Sequence, residues 1–120
     1  MSKTIMIVDD SMSMREMVAL TLTDAGFSVV KANDGVDALS KLNGNRVHLI
    51  ISDVNMPNMD GMTLLGKIKA NPSYQFTPVL MLTTESREDL KQKGKELGAK
   101  AWMVKPFKPE MLISIVNKLI

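Results

Sequence analysis

The chain has 120 residues, 45% of them hydrophobic and 23% charged, a balance that argues against disorder and predicts one domain over residues 1–120. It contains no cysteine, which excludes disulfide scaffolds, thiolate metal sites and thiol nucleophiles. The formal net charge of +2 is divided unevenly along the chain. Residues 1–60 contain 5 basic and 8 acidic side chains, whereas residues 61–120 contain 10 basic and 5 acidic side chains. No apolar run approaches the ~20 residues of a membrane span and no signal peptide is present, so a soluble cytoplasmic protein is expected.

Short strand-like runs alternate five times with helical stretches. The predicted strands cover residues 4–8, 27–30, 47–52, 78–82 and 101–104. Apolar residues at helical spacing follow each strand. The first predicted helix ends at Gly26 and the second ends at Asn43. The third begins at the N-cap Asp60 and ends before Pro72, the fourth spans about 87–97, and the fifth begins at Pro109. Because consecutive βα units join parallel strands through right-handed crossovers, the sequence predicts an α/β fold with helices on both faces of a parallel sheet.

The fourth predicted helix has fewer apolar residues than the others. Leu90 and Leu97 are its main core candidates, Gly94 lies between them, and Lys91 and Lys95 are among its charged residues. A helix with so narrow an apolar stripe is weakly anchored to the sheet. A solvated lysine face is one interpretation of its outer surface, and a surface for a partner protein is the other.

Polar side chains follow the predicted strands at the edge where ligands bind in open parallel sheets. A single such residue would mean little, since it often caps the next turn, and either acidic residue after the first strand could cap the first helix. The full set is Asp9 and Asp10 after strand one, Asp53 after strand three, Thr83 and Thr84 after strand four, and Lys105 with Pro106 after strand five. Their convergence at one edge indicates a functional site.

Three carboxylates at contact distance repel one another by several kcal/mol unless a cation compensates. With oxygen ligands and no histidine or cysteine among these residues, Mg²⁺ fits best, and it leaves coordination positions for phosphate oxygens. Lys105 and the Thr83 hydroxyl are suitable donors to the other oxygens of a phosphoryl group. A carboxylate in such surroundings can act as a nucleophile, so the residues predict phosphoryl transfer onto an aspartate. The lone His48 lies away from this edge and is not expected to be functional.

The same residues resemble a known family over the whole chain. The motifs are Val8-Asp9-Asp10-Ser11, Asp53-Val54-Asn55-Met56-Pro57-Asn58-Met59-Asp60-Gly61, Leu82-Thr83-Thr84-Glu85 and Lys105-Pro106-Phe107. In this combination they are similar to the receiver domain of two-component response regulators, especially the single-domain, CheY-like chemotaxis regulators. The resemblance implies a flavodoxin-like (βα)5 fold, in which the doubly wound parallel sheet has strand order 2-1-3-4-5.

The resemblance also implies a role for each residue of the predicted site. Asp53 is implied as the phosphoacceptor, which takes its phosphoryl group from a histidine of a sensor kinase. Asp10 and Asp53 are implied as direct Mg²⁺ ligands, with Asp9 acting through water and Asn55 contributing its main-chain carbonyl. Lys105 is implied to pair with the phosphoryl group, and the peptide bond that follows it to be cis.

A second group of residues resembles the parts of the family that switch and tune the signal. Thr83 and Trp102 match the switch pair, in which the hydroxyl moves toward the phosphoryl oxygen and the aromatic ring fills the space it leaves. Asn55 and Glu85 match positions that tune dephosphorylation, which predicts a short-lived phosphorylated state. Two residues depart from the CheY-like pattern: Trp102 stands where tyrosine is usual, and Thr84 stands where alanine is usual. Access for the phosphodonor is therefore expected to be narrower.

The partners follow from the same resemblance. We expect a sensor histidine kinase as phosphodonor, the flagellar motor switch as target and a phosphatase, with no nucleic acid and no membrane. The protein is expected to be a monomer that catalyses only its own phosphorylation and dephosphorylation. The expected partner surface lies on helix four, strand five and helix five, at Lys91, Lys95, Trp102 and Lys108.

Three other functions compete with this interpretation, and the residues favour them to different degrees. A receiver that acts as a phosphate sink or shuttle in another two-component pathway has the same site, so the site residues do not separate it from the first interpretation. A flavodoxin-like electron carrier is disfavoured because Asp9 and Asp10 would repel the phosphate of a flavin. A Mg²⁺-dependent phosphohydrolase is disfavoured because the chain has no cap segment to enclose a small substrate.

Overall fold

Residues 3–120, described by a computed structural model, form a five-stranded parallel sheet covered by helices on both faces. The strands are β1 (Thr4–Val8), β2 (Ser28–Ala32), β3 (Leu49–Ser52), β4 (Val79–Thr83) and β5 (Ala101–Val104), and the helices are α1 (Met12–Asp24), α2 (Gly35–Leu42), α3 (Gly61–Ala70), α4 (Glu88–Leu97) and α5 (Pro109–Leu119). The spatial order β2-β1-β3-β4-β5 confirms the predicted flavodoxin-like fold. Within this range no helix is both long and apolar enough to cross a bilayer.

The three central strands are apolar without interruption because both of their faces are covered. On one face Met6, Ile50 and Met81 pack in a cluster with α2 and α3. The alternate residues, such as Ile7 and Ile51, pack in a second cluster with α1 and α5. Successive strand residues point to opposite faces, so a single apolar run contributes to both layers of the core.

The strand register brings the carboxyl ends of neighbouring strands to one edge. Val8 of β1 is paired with Ser52 of β3, and Thr83 of β4 is paired with Val104 of β5. The residues that follow these strands therefore leave the sheet side by side. This alignment brings the predicted site residues to the same edge of the sheet.

Side-chain caps begin three of the helices. Ser11 caps α1, Asp34 caps α2 and Asp60 caps α3, each by accepting a hydrogen bond from the N–H three residues further on. The prediction that Asp60 is an N-cap is thus confirmed. The suggestion that Asp9 or Asp10 caps α1 is wrong, because Ser11 occupies that position and Asp9 Oδ1 instead accepts from the Ser11 N–H at 2.9 Å.

Three strands begin later than predicted; β4 starts one residue later, at Val79, and for the other two a hydrogen bond at the strand start explains the difference. β2 starts one residue later because the Phe27 N–H donates to Leu22 O at the end of α1, at 3.1 Å. β3 starts two residues later, since the Thr4 N–H of β1 donates to His48 Nδ1 at 3.0 Å and not to a main-chain carbonyl of a longer β3. His48 therefore has a structural contact at the amino end of the sheet, far from the predicted site.

Candidate functional site

Asp9 and Asp10 follow β1 at the carboxyl edge of the sheet and differ in exposure. The Asp9 N–H donates to Ala32 O at 3.1 Å, which extends the pairing of β1 with β2 by one residue. The Asp9 side chain is 5% exposed, and its two oxygens accept from the Ser11 N–H and from Lys105 Nζ. Asp10 is exposed. The pair thus offers one buried, fully bonded carboxylate and one carboxylate open to solvent.

Asp53 follows β3, and its carboxylate is held from two sides. Its N–H donates to Val8 O at 2.9 Å, so the backbone continues the sheet past the end of the strand. Oδ1 accepts from the Val54 N–H at 2.7 Å, and Oδ2 accepts from Lys105 Nζ at 3.0 Å. The side chain keeps 11% of its surface exposed. Asp53 is therefore fixed in orientation but remains reachable from solvent.

Gly61 allows the loop after Asp53 to close tightly. A Cβ at position 61 would overlap the main-chain carbonyl oxygen of Asp53 and would lie 2.9 Å from Val54 Cα. The Gly61 N–H donates to Val54 O at 2.8 Å, which joins the two ends of the loop. The sequence motif included Gly61 without a role for it. The Asp-Gly pair at the start of α3 is the signal that could have identified it.

Lys105 follows β5 and lies between the two buried carboxylates. Its Nζ is 2.7 Å from Asp9 Oδ2 and 3.0 Å from Asp53 Oδ2, and 7% of its side chain is exposed. Burial by itself lowers the pKa of the ammonium group, but the hydrogen bonds to Asp9 and Asp53 and their negative charges outweigh burial, so the pKa of Lys105 is raised. Lys105 is therefore a charged group at neutral pH. Its peptide bond to Pro106 is cis, as expected.

The three carboxylates fit a magnesium ion. One oxygen from each of Asp9, Asp10 and Asp53 lies within 4.8 Å of the other two. Ligands of Mg²⁺ lie about 2.0–2.1 Å from the metal, so two ligands are at most about 4 Å apart, and the three oxygens would have to move closer together to share one ion. An all-oxygen donor set is the one that Mg²⁺ prefers, and His48 lines a groove at the other end of the sheet. Asn55, the fourth expected ligand, lies in the loop after Asp53 and is exposed.

Thr83 ends β4 and is completely buried. Its Oγ1 accepts from the Glu85 N–H at 3.2 Å, which leaves the hydroxyl proton available for another acceptor. The Thr83 main-chain carbonyl accepts from the Lys105 N–H at 2.8 Å, so the two expected phosphoryl-binding residues follow adjacent strands in fixed relation. Thr84 is exposed beside them, where the expected restriction of phosphodonor access would apply.

Glu85 bonds to three of the other expected residues. Its Oε1 accepts from Asn55 Nδ2 at 2.9 Å, so the pair expected to tune dephosphorylation is in direct contact. Its main-chain carbonyl accepts from Trp102 Nε1 at 2.9 Å, while its N–H donates to Thr83. The two members of the expected switch pair are therefore linked through one residue. The sequence predicted a role for Glu85 but not its main-chain contact with Trp102, because no residue pattern marks a main-chain acceptor.

A surface groove of about 550 Å³ lies between α4 and β5. Lys91, Lys95 and Trp102 line it, and Lys100 adds a third positive charge. Lys108, the fourth residue of the expected partner surface, stands outside the groove at the N-cap position of α5. The structure thus brings three of the four residues together.

Comparisons with known proteins agree with this geometry. The chain matches the family model of the response regulator receiver domain over residues 5–117. It is 34% identical over 116 residues to the chemotaxis protein CheY of Pseudomonas aeruginosa, an alignment that covers 96% of this chain and 94% of that protein. It is also 37% identical over 120 residues to the probable transcriptional regulator ycf29 of Pyropia yezoensis, and spans 54% of the length of that relative.

The fold comparison gives the same result. The structure is similar to that of the chemotaxis protein CheY4 of Vibrio cholerae, with a TM-score of 0.95, 46% sequence identity and 100% of both chains covered. The family match over residues 5–117 includes the carboxyl ends of all the strands that carry site residues. The chain therefore belongs to the response regulator receiver domain family and is a receiver domain of the CheY type.

Proposed function

We propose that this chain is a phosphorylation-controlled messenger whose Asp53 accepts a phosphoryl group from a histidine of a sensor kinase. The observation that supports this most directly is the position of the Asp53 carboxylate, which lies 3.0 Å from Lys105 Nζ and within 4.8 Å of oxygens of Asp9 and Asp10. A phosphoryl group on Asp53 would therefore lie beside the Lys105 ammonium group. On its other side it would lie beside Asp9 and Asp10, which could hold a cation together with Asp53.

The transfer is an attack by one Asp53 carboxylate oxygen on the phosphorus of a phosphohistidine. An O–P bond forms as the P–N bond breaks, and the imidazole nitrogen leaves with the electron pair and takes up a proton. Asp10, Asp53 and the Asn55 carbonyl would hold Mg²⁺, with Asp9 acting through water, and the bound ion would supply positive charge for the phosphoryl oxygens. Lys105, charged at neutral pH, is close enough to pair with another of these oxygens. Hydrolysis then breaks the O–P bond and returns the carboxylate and inorganic phosphate.

The phosphoryl group would be communicated to the surface through Thr83 and Trp102. The Thr83 hydroxyl is buried beside the site and has its proton available to donate to a phosphoryl oxygen. A movement of Thr83 would act on Glu85, whose main-chain carbonyl holds the Trp102 indole. We propose that phosphorylation changes the population of ring positions in this way.

The target we propose is the flagellar motor switch, bound at the surface of α4, β5 and α5, with the kinase and a phosphatase as further partners. The relatives named as chemotaxis proteins support this target. The groove with Lys91, Lys95 and Trp102 supports the surface, and Lys108 would contribute from its edge. We further propose that the chain acts as a monomer in the cytoplasm, as one domain, and catalyses only its own phosphorylation and dephosphorylation.

The test of the site uses Trp102, the single tryptophan of the chain. Mg²⁺ with beryllofluoride should change the emission of Trp102 in the wild type, and D53N should abolish the response. D60N is the matched control, because asparagine can still cap α3 and residue 60 lies outside the carboxylate cluster; its response should equal that of the wild type. A full response in D53N would contradict the assignment of Asp53.

The test of the target is binding of a motor-switch peptide. The beryllofluoride-treated protein should bind the peptide more tightly than the untreated protein does. Absence of binding, together with tight binding to a histidine phosphotransfer protein of another pathway, would favour the sink or shuttle function instead.

A further inference from the structure

Besides the contacts of Asp53, two side chains of the loop between β3 and α3, residues 53–60, bond to neighbouring segments. On one side Asn55 Nδ2 donates to Glu85 Oε1 at 2.9 Å. On the other side Asn58 Nδ2 donates to Asp34 Oδ2 at 2.8 Å, which connects the loop to the start of α2. The first attachment joins the two residues expected to tune dephosphorylation, whereas the second has no role in the proposed function.

Asn58 adopts a backbone conformation that is costly for any residue with a side chain. Its φ is +68°, well inside the left-handed region that favours glycine. Asparagine tolerates this region better than most residues, but glycine would adopt it without strain. The amide side chain that glycine would lack is the one that reaches Asp34, so the strained residue is also the one that makes the contact.

Asp34 presents a fixed, charged acceptor to this amide. Its Oδ1 accepts from the Asp37 N–H at 2.7 Å, which caps α2 and orients the second oxygen toward Asn58. These hydrogen bonds hold the pKa of Asp34 below its ordinary value. Next to this contact the Met59 side chain packs directly on Gly35, because a Cβ at position 35 would lie 2.8–2.9 Å from three of its atoms. This packing is a second contact between the loop and the start of α2.

We propose that Asn58 and Asp34 are positioning residues for the metal site. Their hydrogen bond holds the outer half of the loop against α2, so that Asp53 and the main-chain carbonyl of Asn55 keep the positions that Mg²⁺ requires. Neither residue touches the metal, and the pair acts through the loop that carries the ligands. The inference rests on the proposed function, because it concerns the same magnesium site.

The deciding variant is N58G. Glycine relieves the left-handed strain, so stability is expected to be equal to or above that of the wild type, while the hydrogen bond to Asp34 is lost. Isothermal titration calorimetry with MgCl₂ should show a dissociation constant raised by about threefold, the change that loss of a weak net hydrogen bond produces. A purely structural role would not weaken Mg²⁺ binding in a variant of undiminished stability.

A charge exchange provides the rescue. N58D places two carboxylates face to face and should weaken Mg²⁺ binding, whereas the double variant D34N/N58D restores an amide facing a carboxylate and should recover binding. E16Q is the matched control, since it breaks the exposed Glu16–Lys31 ion pair outside the loop and should leave Mg²⁺ affinity unchanged.

The outcomes separate this inference from the function on which it rests. A wild type that fails to bind Mg²⁺ would overturn the proposed function itself. Wild-type binding with unchanged affinity in N58G, or N58D without rescue by the double variant, would overturn the positioning role while the magnesium site stands. Circular dichroism and urea denaturation of each variant show whether it is folded at the temperature of the titration.

Discussion

At the scale of single residues, Asp10 differs from the two carboxylates beside it. Asp9 and Asp53 share the Lys105 ammonium, but within residues 3–120 Asp10 has no ion-pair partner. D10N removes a like charge from the cluster, so without Mg²⁺ we expect the free energy of unfolding to rise by up to about 1 kcal/mol. With Mg²⁺ the order should reverse, because the wild type is stabilised by the ion that the variant binds more weakly.

Urea denaturation with and without millimolar Mg²⁺ measures both effects on Asp10. If D10N is less stable than the wild type in metal-free buffer, repulsion among the three carboxylates does not lower the free energy of unfolding. Equal stabilisation of both proteins by Mg²⁺ would show that Asp10 is not a ligand.

Asp34 gives a prediction about pH. Its pKa is lowered below the ordinary 3.8 because it accepts hydrogen bonds from the Asp37 N–H and from Asn58. A lowered pKa in the folded state means that ionised Asp34 stabilises the fold above pH 3.8, and this contribution is lost as the pH falls through the folded-state pKa. D34N keeps the helix cap without the charge, so it should be less stable than the wild type at neutral pH and equal to it in strong acid. A stability difference that stays constant over a pH series of urea denaturations would contradict this.

At the scale of elements, α4 and β5 meet through Gly94 and Trp102. A Cβ at position 94 would lie 2.9 Å from Trp102 Cζ3 and 3.2 Å from Cε3, so an alanine there forces the ring to shift. Gly94 is also the one buried residue of α4, in keeping with the weak anchoring predicted for this helix. In G94A we expect Trp102 to move toward solvent and lose its bond to Glu85, which should shift its emission to the red and reduce the response to beryllofluoride.

G66A is the control for the change in helix propensity. Gly66 lies within α3 and has open space around the position of a Cβ. Alanine there should stabilise the protein by about 0.5–1 kcal/mol and leave the Trp102 emission unchanged. Identical emission spectra for G94A and G66A would show that Gly94 does not determine the ring position.

At the scale of the whole molecule, the sheet joins the two layers of the core. Ile51 packs in the layer of α1 and α5, whereas Trp102 packs against the layer of α2 and α3. I51A should lower the free energy of unfolding by about 2–5 kcal/mol, because a buried side chain is replaced by a cavity. Since the mutated strand forms part of both layers, far-UV circular dichroism and Trp102 fluorescence should report the same shifted midpoint.

F76A is the comparison for this effect. Phe76 is 88% exposed, so its removal should change the free energy of unfolding by less than about 0.5 kcal/mol. If the Trp102 transition of I51A kept the wild-type midpoint while circular dichroism shifted, the two layers would not unfold together.

The extent to which the molecule was predictable varies with the range of the interaction. The strands and their common edge followed from apolar runs and from the geometry of parallel sheets, so Asp9, Asp53 and Lys105 were correctly expected to converge. The suggested cap of α1, Asp9 or Asp10, was wrong, because Ser11 is an equally good cap residue and only its contact with the Met14 N–H selects it. The start of β3 was wrong by two residues because an imidazole took a main-chain donor.

By itself, the sequence determined the layered architecture and the identity of the residues at the strand ends, since apolar runs of strand length are buried on both sides only in a covered parallel sheet. The tertiary structure alone decided which loop contacts form around that site. The Trp102 indole reaches a carbonyl 17 residues away, and Asn58 reaches a carboxylate 24 residues away. No periodicity encodes such contacts, because they depend on how separate loops approach one another once the sheet has assembled.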